Sequence, residues 1–253
     1  MTHDASGFWN RYALSGYDAL TVLLPYQELQ TTMVAAAELH AGERVLVAGC
    51  GTGWFEYQAI QHHPDLQIEG LDFSAEMLRR ATTKCRRYAT IHHRQADLTH
   101  TLPFPDDVFD VAVMTNVLYT LPSADTTLRE IVRVLRPGGR LIISDPYPWL
   151  DADVVRAAHL AGVRALPWVA RLQRYLHTVV AAPALLQVQR ASKQIEREAT
   201  LLYRFRTADE ARNLVTTSGF TITRQSATYA EQNWLLVALR PADAQIYEIL
   251  HDT

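Results

Sequence analysis

The chain has few cysteines and no long apolar segment. Its 253 residues include only two cysteines, Cys50 and Cys85, which form neither a disulfide framework nor the ligand spacing of a zinc site. We therefore expect both to be reduced thiols, and we expect no bound metal ion. No apolar run approaches the roughly 20 residues of a membrane span, and residues 1–6 lack the basic and apolar regions of a signal peptide. These absences predict a cytoplasmic protein without a membrane span.

The chain also lacks a concentration of positive charge. Lys and Arg number 24 against 27 Asp and Glu, which gives a formal net charge of −3. The basic residues between 79 and 87 share one face of a predicted helix, which a solvated surface explains better than a nucleic-acid groove. The adjacent pairs His62–His63 and His92–His93 are interpreted as surface residues, because neighbours on a strand point to opposite faces and cannot converge on one metal ion.

The glycines follow a pattern that separates ligand classes. The phosphate-binding motif G-x-x-x-x-G-K-[ST] and a Ser-His-Asp arrangement are not recognisable, which disfavours nucleoside triphosphatases and hydrolases. Instead, Gly49, Gly51 and Gly53 join an apolar strand over residues 45–48 to a helix over residues 54–62. Glycines permit positive φ and close approach of a ligand. The dinucleotide motif G-x-G-x-x-G would need a glycine where Trp54 stands. A nucleotide-like ligand or a merely tight turn explains the pattern equally well by itself.

Carboxylates follow the next two predicted strands. Asp72 ends a strand over residues 66–71, where a doubly wound fold places the carboxylate that binds a ribose. Ser74 can cap the following helix, predicted over residues 75–86, which leaves Asp72 free for a ligand. Asp97 follows a strand over residues 89–94, although an aspartate there also suits a turn. Three polar features at the ends of three successive strands favour one shared binding site.

The rest of the chain continues the strand and helix alternation, with one interruption. A strand over residues 108–114 precedes a helix over 124–135, a Pro-Gly-Gly turn and a strand over 140–144. Some fifty residues of helical pattern follow. A helix over residues 207–218 then leads to strands over 220–229 and 232–239, whose short connection predicts an antiparallel hairpin.

Together these motifs resemble the class I S-adenosylmethionine-dependent methyltransferases of the small-molecule type. The resemblance implies an α/β fold with a doubly wound, mostly parallel seven-stranded sheet of order 3-2-1-4-5-7-6, whose last strand is antiparallel. It implies N-terminal lid helices over residues 1–40 and a Rossmann-like cofactor-binding core over residues 41–148. A helical cap inserted after strand 5 would cover residues 149–206, and residues 207–253 would complete the core.

The resemblance also implies S-adenosyl-L-methionine as cofactor and S-adenosyl-L-homocysteine as product. Asp72 would accept hydrogen bonds from both ribose hydroxyls, and Asp97 from the adenine amino group. The complete set of expected cofactor contacts is Tyr12, Tyr17, Gly49, Cys50, Gly51, Gly53, Asp72, Phe73, Met77, Ala96, Asp97, Leu98 and Asn116.

The implied reaction is an in-line displacement at the sulfonium methyl group by an oxygen, nitrogen or carbon of a small, moderately apolar metabolite. If the acceptor must lose a proton, Tyr119, Tyr147 and His177 are the candidate bases. Many relatives carry a histidine pair where Tyr119 and Thr120 stand, so no histidine base can be transferred to this chain. The aromatic and histidine side chains expected to line the cap's pocket are Trp149, Trp168, Tyr175, His177 and Tyr203.

One position departs from the family pattern and keeps two alternatives open. Relatives usually carry Asp or Glu two residues before Gly49, where it helps to hold the methionine ammonium, and this chain has Val47. Either another group accepts from the ammonium, or the protein uses the fold for other S-adenosylmethionine-linked chemistry or for non-catalytic ligand binding. An RNA or protein methyltransferase is the second alternative, and the acidic balance disfavours it. The oligomeric state is not indicated.

Overall fold

The structure, a computed structural model, describes residues 16–242, apart from the side chains of residues 191–202. The strands are β1 (Arg44–Ala48), β2 (Gln67–Asp72), β3 (Ile91–Gln95), β4 (Phe109–Thr115), β5 (Leu135–Pro146), β6 (Thr221–Thr228) and β7 (Asn233–Leu239). The α-helices are α1 (Leu24–Ala36), α2 (Trp54–His62), α3 (Ala75–Cys85), α4 (Ala124–Val134), α5 (Ala152–Ala165), α6 (Trp168–Leu202) and α7 (Ala208–Thr217). Short 3₁₀ helices occupy Tyr17–Val22 and Leu118–Thr120. Tyr12 lies outside the described residues.

All seven strands form one sheet of order β3-β2-β1-β4-β5-β7-β6, which confirms the predicted order. The first five strands pair in parallel, whereas β7 runs antiparallel to both β5 and β6. The order reverses between β1 and β4, and a doubly wound sheet binds its ligands beside such a reversal, at the carboxyl ends of the strands. The topology therefore places the ends of β1, β2 and β4 around one crevice.

The central strands are covered on both faces because their side chains alternate between two apolar clusters. On β1, Leu46 and Ala48 pack into the cluster under α4 and α7, while Val45 and Val47 pack into the cluster under α1, α2 and α3. Burial on both faces explains the continuous apolar run that predicted this strand. In contrast, β6 exposes most of its length and is rich in Thr, Arg and Gln, as suits the edge of a sheet.

Strand β5 is longer than the segment predicted over residues 140–144. Its pairing with β4 begins at Leu135, shifts register, and resumes at Arg140, so the Pro-Gly-Gly segment lies within the strand. At its other end, β5 pairs with β7 as far as Pro146 and Asn233. Pairing with a distant strand extends β5, and no local pattern in the sequence carries this information.

The helices of the insertion pack against the N-terminal segment. His159 of α5 is buried, and its Nδ1 accepts a hydrogen bond from the Leu24 amide at 3.2 Å. Its Nε2 lies 3.1 Å from the Thr178 hydroxyl on α6. This one side chain therefore links α1, α5 and α6. Within the described range, no helix combines the length and the apolar character that a membrane crossing needs.

Candidate cofactor and active site

The glycine turn after β1 uses its three glycines for three different purposes. Gly49 has φ +77°, and a Cβ there would overlap the Val117 side chain, so the glycine lets the chain after β4 lie against the turn. Gly51 has φ +53° and no heavy atom within 4 Å of a Cβ position, so its surface faces open space. At Gly53 a Cβ would stand 2.9 Å from the Ala81 Cβ, which shows that this glycine serves the packing of α2 on α3.

Asp72 lies at the end of β2 beside Gly51. Its Oδ2 accepts a hydrogen bond from the Gly51 amide at 2.9 Å, and its Oδ1 accepts from the Ser74 amide at 2.9 Å. Burial raises the pKa of the Asp72 carboxyl, while these two hydrogen bonds act in the opposite direction. Each carboxylate oxygen can accept a further hydrogen bond. Ser74 caps α3 as predicted, since its hydroxyl accepts from the Met77 amide at 3.2 Å.

Asp97 lines the far end of the same crevice, after β3. Its Oδ1 accepts from the Thr99 amide at 2.9 Å and from the Thr99 hydroxyl at 2.7 Å. Burial opposes ionisation, but the Thr99 hydrogen bonds and the neighbouring His100 outweigh it and lower the pKa of Asp97. Phe73, Met77 and Leu98 line the crevice beside this carboxylate. Apolar walls with one acceptor at the rim suit a flat ring that carries an amino group.

The segment after β4 is held in a strained turn by the neighbouring strands. Asn116 has φ +57°, in the left-handed region that costs energy for a residue other than glycine. Its Oδ1 accepts from the Asn233 Nδ2 at 2.7 Å, and its amide donates to the Ser144 carbonyl at 2.8 Å. Asn233 on β7, which no sequence motif indicated, therefore fixes one wall of the crevice.

Asp145, at the end of β5, fixes the next residues of that wall. It accepts hydrogen bonds from the amides of Val117 at 2.9 Å, Leu118 at 3.2 Å and Tyr119 at 2.6 Å. Only 2% of Asp145 is exposed, and this burial raises its pKa to about 7 although the amides act in the opposite direction. The sequence signal was an aspartate at a strand end, but its partners lie almost thirty residues earlier.

A small cavity of about 40 Å³ adjoins the glycine turn at Val47, the position where the resemblance implies an acidic residue. Val47 lies against it and is 4% exposed. Polar side chains of Gln30 and Thr115 also line it. The Thr115 hydroxyl is buried and has no hydrogen-bond partner in residues 16–242, and Thr115 lines the main crevice as well. The cavity therefore has other polar groups that can receive an ammonium group.

Asp18 connects the N-terminal 3₁₀ helix to the glycine turn. Its Oδ1 accepts from the Thr52 hydroxyl at 2.6 Å, the Trp54 Nε1 at 3.0 Å and the Lys84 Nζ at 3.3 Å. Burial opposes ionisation of Asp18, but the charge of Lys84 and these hydrogen bonds lower its pKa. The ionised carboxylate therefore holds the N-terminal helix against the cofactor turn.

Most of the predicted cofactor contacts come together. The main crevice has a volume of about 270 Å³. The predicted residues that line it are Tyr17, Gly49, Gly51, Asp72, Phe73, Met77, Asp97, Leu98 and Asn116. Three others have different positions: Gly53 packs against α3, Ala96 packs against the core, and Cys50 is buried beside the small cavity. The buried thiol has a pKa well above its usual value, because of burial and the charges of Glu56 and Asp72.

The predicted acid–base residues are not brought together. The Tyr119 ring stacks on Phe205 with centroids 4.8 Å apart, and Tyr147 stacks on Trp149 at the same separation. Burial, with smaller contributions from Asp209 and Glu231, raises the pKa of the Tyr147 hydroxyl. His177 is exposed on α6 and lines a separate cavity beside Arg174.

The predicted pocket of the insertion is only partly formed. Tyr203, which follows α6, lines the crevice together with Thr120, a residue that the sequence had not indicated. Trp168 is 71% exposed, and Trp149 and Tyr175 are also exposed, so these three aromatic side chains face solvent. Helical pattern alone could not show which face of α6 turns toward the sheet.

One histidine interpretation is wrong. His92 is exposed, but the His93 side chain is 3% exposed and lies beside the buried Glu56. Neighbouring residues do point to opposite faces of β3, as the sequence indicated. However, the inward face of this strand is covered by helices, so one member of the pair is buried.

Comparisons with known proteins agree with this site. Residues 46–143 match the methyltransferase domain family. A demethylmenaquinone methyltransferase from Symbiobacterium thermophilum is 31% identical over 61% of this chain and 72% of its own length. A 27-O-demethylrifamycin SV methyltransferase from Amycolatopsis mediterranei is 30% identical over 67% of this chain and 63% of its own length.

A solved structure shares the fold. The N-methyltransferase NodS from Bradyrhizobium japonicum, crystallised with S-adenosyl-L-homocysteine, has a TM-score of 0.59 and 17% identity, covering 88% of this chain and 90% of NodS. The glycine turn, the strand-end carboxylates and the reversed last strand are thus found in a chain with methyltransferase relatives. The protein belongs to the class I S-adenosylmethionine-dependent methyltransferases, and S-adenosylmethionine is its cofactor.

Proposed function

We propose that this protein methylates an oxygen, nitrogen or carbon nucleophile of a small, moderately apolar metabolite. The observation that carries the proposal is the composition of the main crevice. Its cofactor end holds Gly51 and two carboxylates, whereas the continuation past Asn116 is bounded by Val117, Leu121, Pro122 and Tyr203. A mostly apolar wall with few polar groups is typical of sites for small molecules.

The cofactor end fits an adenosyl group. Gly51 presents open backbone surface, and two amides hold the Asp72 carboxylate beside it, which supports a role for Asp72 in binding a ribose. Phe73, Met77 and Leu98 supply apolar walls for adenine. We propose that Gln30 and Thr115 contribute to the methionine end in place of an acidic residue at position 47, because both line the cavity beside Val47.

The role of this chain in the reaction is mainly to position the acceptor. When bound, S-adenosylmethionine supplies a methyl group that its positively charged sulfur already activates. Good alignment of two reactants is worth about 7 to 11 kcal/mol. The turn at Asn116 and the three amides held by Asp145 make the wall between the two ends of the crevice rigid. Rigidity of that wall is what alignment requires.

The names of the relatives support a small-molecule acceptor. One relative is named for demethylmenaquinone and the other for a 27-O-demethylrifamycin, so both names denote small organic acceptors. Among the described side chains of the insertion, Tyr203 is the one with a hydroxyl group that lines the crevice. We propose that it contacts the acceptor. Tyr119, Tyr147 and His177 stay predictions as proton acceptors.

Binding and turnover measurements test the proposal together. Calorimetry should detect binding of S-adenosylmethionine and of S-adenosylhomocysteine to the protein, but no binding of NAD. Incubation with separate panels of phenols and quinols, amines, mixed RNA and unfolded protein should give a methylated product, detected by mass spectrometry, only with the small molecules. Methylation confined to RNA or protein would contradict the proposed acceptor class. The variant Asp72→Asn, which keeps the shape of the side chain, serves as the control for cofactor-dependent product.

A second candidate function rests on Val47. If the cavity beside Val47 holds the methionine end in an unusual way, the protein would bind the cofactor and use the crevice for other chemistry, or for ligand binding without turnover. Tight binding of S-adenosylmethionine together with no methylated product from any panel would favour this second function. Mass spectrometry of small molecules that copurify with the protein would then identify its ligand.

A further inference from the structure

Three side chains that can bind a metal ion converge beneath the glycine turn. They are Cys50 in the turn, Glu56 in the first turn of α2, and His93 on β3. Each side chain offers one ligand atom, and these three atoms all lie within 4.8 Å of one another. The Glu56 Oε1 and the His93 Nε2 are 3.6 Å apart. This cluster lies outside the crevice described above.

A glycine on β2 has no side chain, and the cluster occupies the space that a side chain would fill there. Gly70 pairs with His93 across the sheet. A Cβ on Gly70 would stand 2.8 Å from the Glu56 Oε1, 2.8 Å from the His93 Cδ2 and 3.2 Å from the Cys50 Cβ. Any other residue at position 70 would therefore fill the point toward which the three side chains project. The space between them is built by four separate segments of the chain.

Three polar atoms of the cluster are buried and have no hydrogen-bond partner in residues 16–242. Glu56 is 0% exposed, and neither of its carboxylate oxygens has a hydrogen-bond partner in residues 16–242. The Nε2 of His93 also has no hydrogen-bond partner in that range. Burying a carboxylate without hydrogen bonds is strongly unfavourable unless a positive charge compensates it. His93, whose Nε2 lies 3.6 Å from the Glu56 Oε1, is a partner for this carboxylate, and a metal ion between the three side chains would satisfy all of these buried polar atoms.

We propose that Cys50, Glu56 and His93 bind a divalent metal ion of the zinc type beneath the glycine turn. One sulfur, one nitrogen and one oxygen form a borderline-soft ligand set, which suits Zn²⁺ or Co²⁺ and does not suit Mg²⁺ or Ca²⁺. On binding, the Cys50 thiol releases its proton to solvent and the thiolate forms the metal–sulfur bond. The charges of thiolate and carboxylate then balance the two positive charges of the ion.

The distances are compatible with this coordination. Metal–ligand bonds of about 2.0 to 2.3 Å place tetrahedral ligands roughly 3.3 to 3.7 Å apart. The Glu56–His93 separation of 3.6 Å is within that range. Small rotations of side chains would bring the remaining separations, none above 4.8 Å, into it. Because Cys50 lies between Gly49 and Gly51, a bound ion would hold the cofactor turn from below.

Cobalt binding to the full chain provides the test. The purified protein is treated with a chelator, dialysed and titrated with Co²⁺, and absorption in the near ultraviolet reports cobalt–thiolate bonds. We expect one ion per chain, displaced by Zn²⁺. The absorption should disappear in Cys50→Ser and persist in Cys85→Ser, whose buried cysteine lies outside the cluster. Affinity should fall at least about tenfold in His93→Gln and stay unchanged in His92→Gln.

The variant Glu56→Gln guards against a loss of folding. It preserves the shape of the side chain, so circular dichroism and the metal-free Tm should show a folded protein, while Co²⁺ affinity should again fall at least about tenfold. Absence of the thiolate band in the wild-type protein would overturn the proposal. So would a band that survives in Cys50→Ser or an equal loss of affinity in the two control variants. In those cases Glu56 and His93 are a buried contact without a metal ion.

Discussion

The cofactor end and the acceptor end of the crevice are built in different ways. The cofactor end consists of turns that directly follow β1, β2 and β3, so its residues are recognisable from short motifs. The acceptor end combines the segment after β4 with Tyr203 from beyond α6, and it is held by Asp145 and Asn233 from other strands. The residues at the cofactor end are therefore encoded locally, whereas the surface proposed to contact the acceptor depends on long-range packing.

Among the variants that test this difference between the two ends, Asp72→Ala is expected to have the largest effect, which is on cofactor affinity. Hydrogen bonds to a charged group are worth about 1.5 to 3 kcal/mol each, so losing two to the ribose should weaken cofactor binding by about 100-fold or more. Calorimetry with S-adenosylhomocysteine measures the change. The exposed variant Asp65→Ala is the control. Unchanged affinity in a folded Asp72→Ala protein would remove Asp72 from the cofactor site. Some loss of stability is also expected, because the amides of Gly51 and Ser74 lose their acceptor.

The next largest effect concerns Asp145 and pH. Burial raises the pKa of its carboxyl from the ordinary value of 3.8 to about 7 in the folded protein, so the folded state binds a proton more readily than the unfolded state. The stabilising contribution is complete below pH 3.8 and is lost as the pH rises through about 7. The loss is at most about 4 kcal/mol, since one pKa unit corresponds to about 1.4 kcal/mol.

Urea unfolding at a series of pH values measures that contribution. The difference in the free energy of unfolding between wild type and Asp145→Asn should change steadily between about pH 4 and pH 7. The matched control is Asp125→Asn on the surface of α4, because the ion pair with Arg129 lowers the pKa of Asp125. The control should not show a pH-dependent difference in this window. A flat difference for Asp145→Asn would show that Asp145 remains ionised throughout.

A smaller effect is expected from Asp97→Ala at the adenine rim. Because the Asp97 side chain is 53% exposed and water competes for it, we expect its single hydrogen bond to be worth only about 0.5 to 1.5 kcal/mol, which corresponds to a loss of cofactor affinity of about two- to twelvefold. The same calorimetric titration measures it. A loss as large as that of Asp72→Ala would contradict the proposal that Asp72 binds the ribose and that Asp97 makes one hydrogen bond to adenine.

The smallest effect on cofactor binding is expected from Tyr203→Phe, which tests the acceptor end alone. Removing the hydroxyl should leave S-adenosylhomocysteine affinity within about twofold and raise the KM for the acceptor by up to about tenfold, as expected for one hydrogen bond. Trp168→Phe, at an exposed position on α6, is the matched control. Equal changes in both affinities would show that the two ends of the crevice are not separable.

The sequence allowed the sheet order and nine residues of the crevice to be predicted, because the motifs behind these predictions consist of a few adjacent residues. The order of the strands follows from the resemblance carried by the glycine turn, Asp72 and the final hairpin. In contrast, Asp18, Asp145 and Asn233 hold backbone or side chains that are distant in sequence. A lone polar residue does not reveal such a partner. Likewise, the helical pattern of α6 did not distinguish its solvent face from its packed face.

The sequence by itself indicated the type of cofactor, because the alternating glycines and the strand-end carboxylates are local motifs that carry the resemblance to the methyltransferase family. Only the tertiary structure decided what surrounds that turn. It placed Gln30 and Thr115 beside Val47, and it buried His93 against Glu56 and Cys50. These groups come from separate strands and helices, and their proximity arises when the sheet and its helices pack. A linear pattern does not contain this proximity.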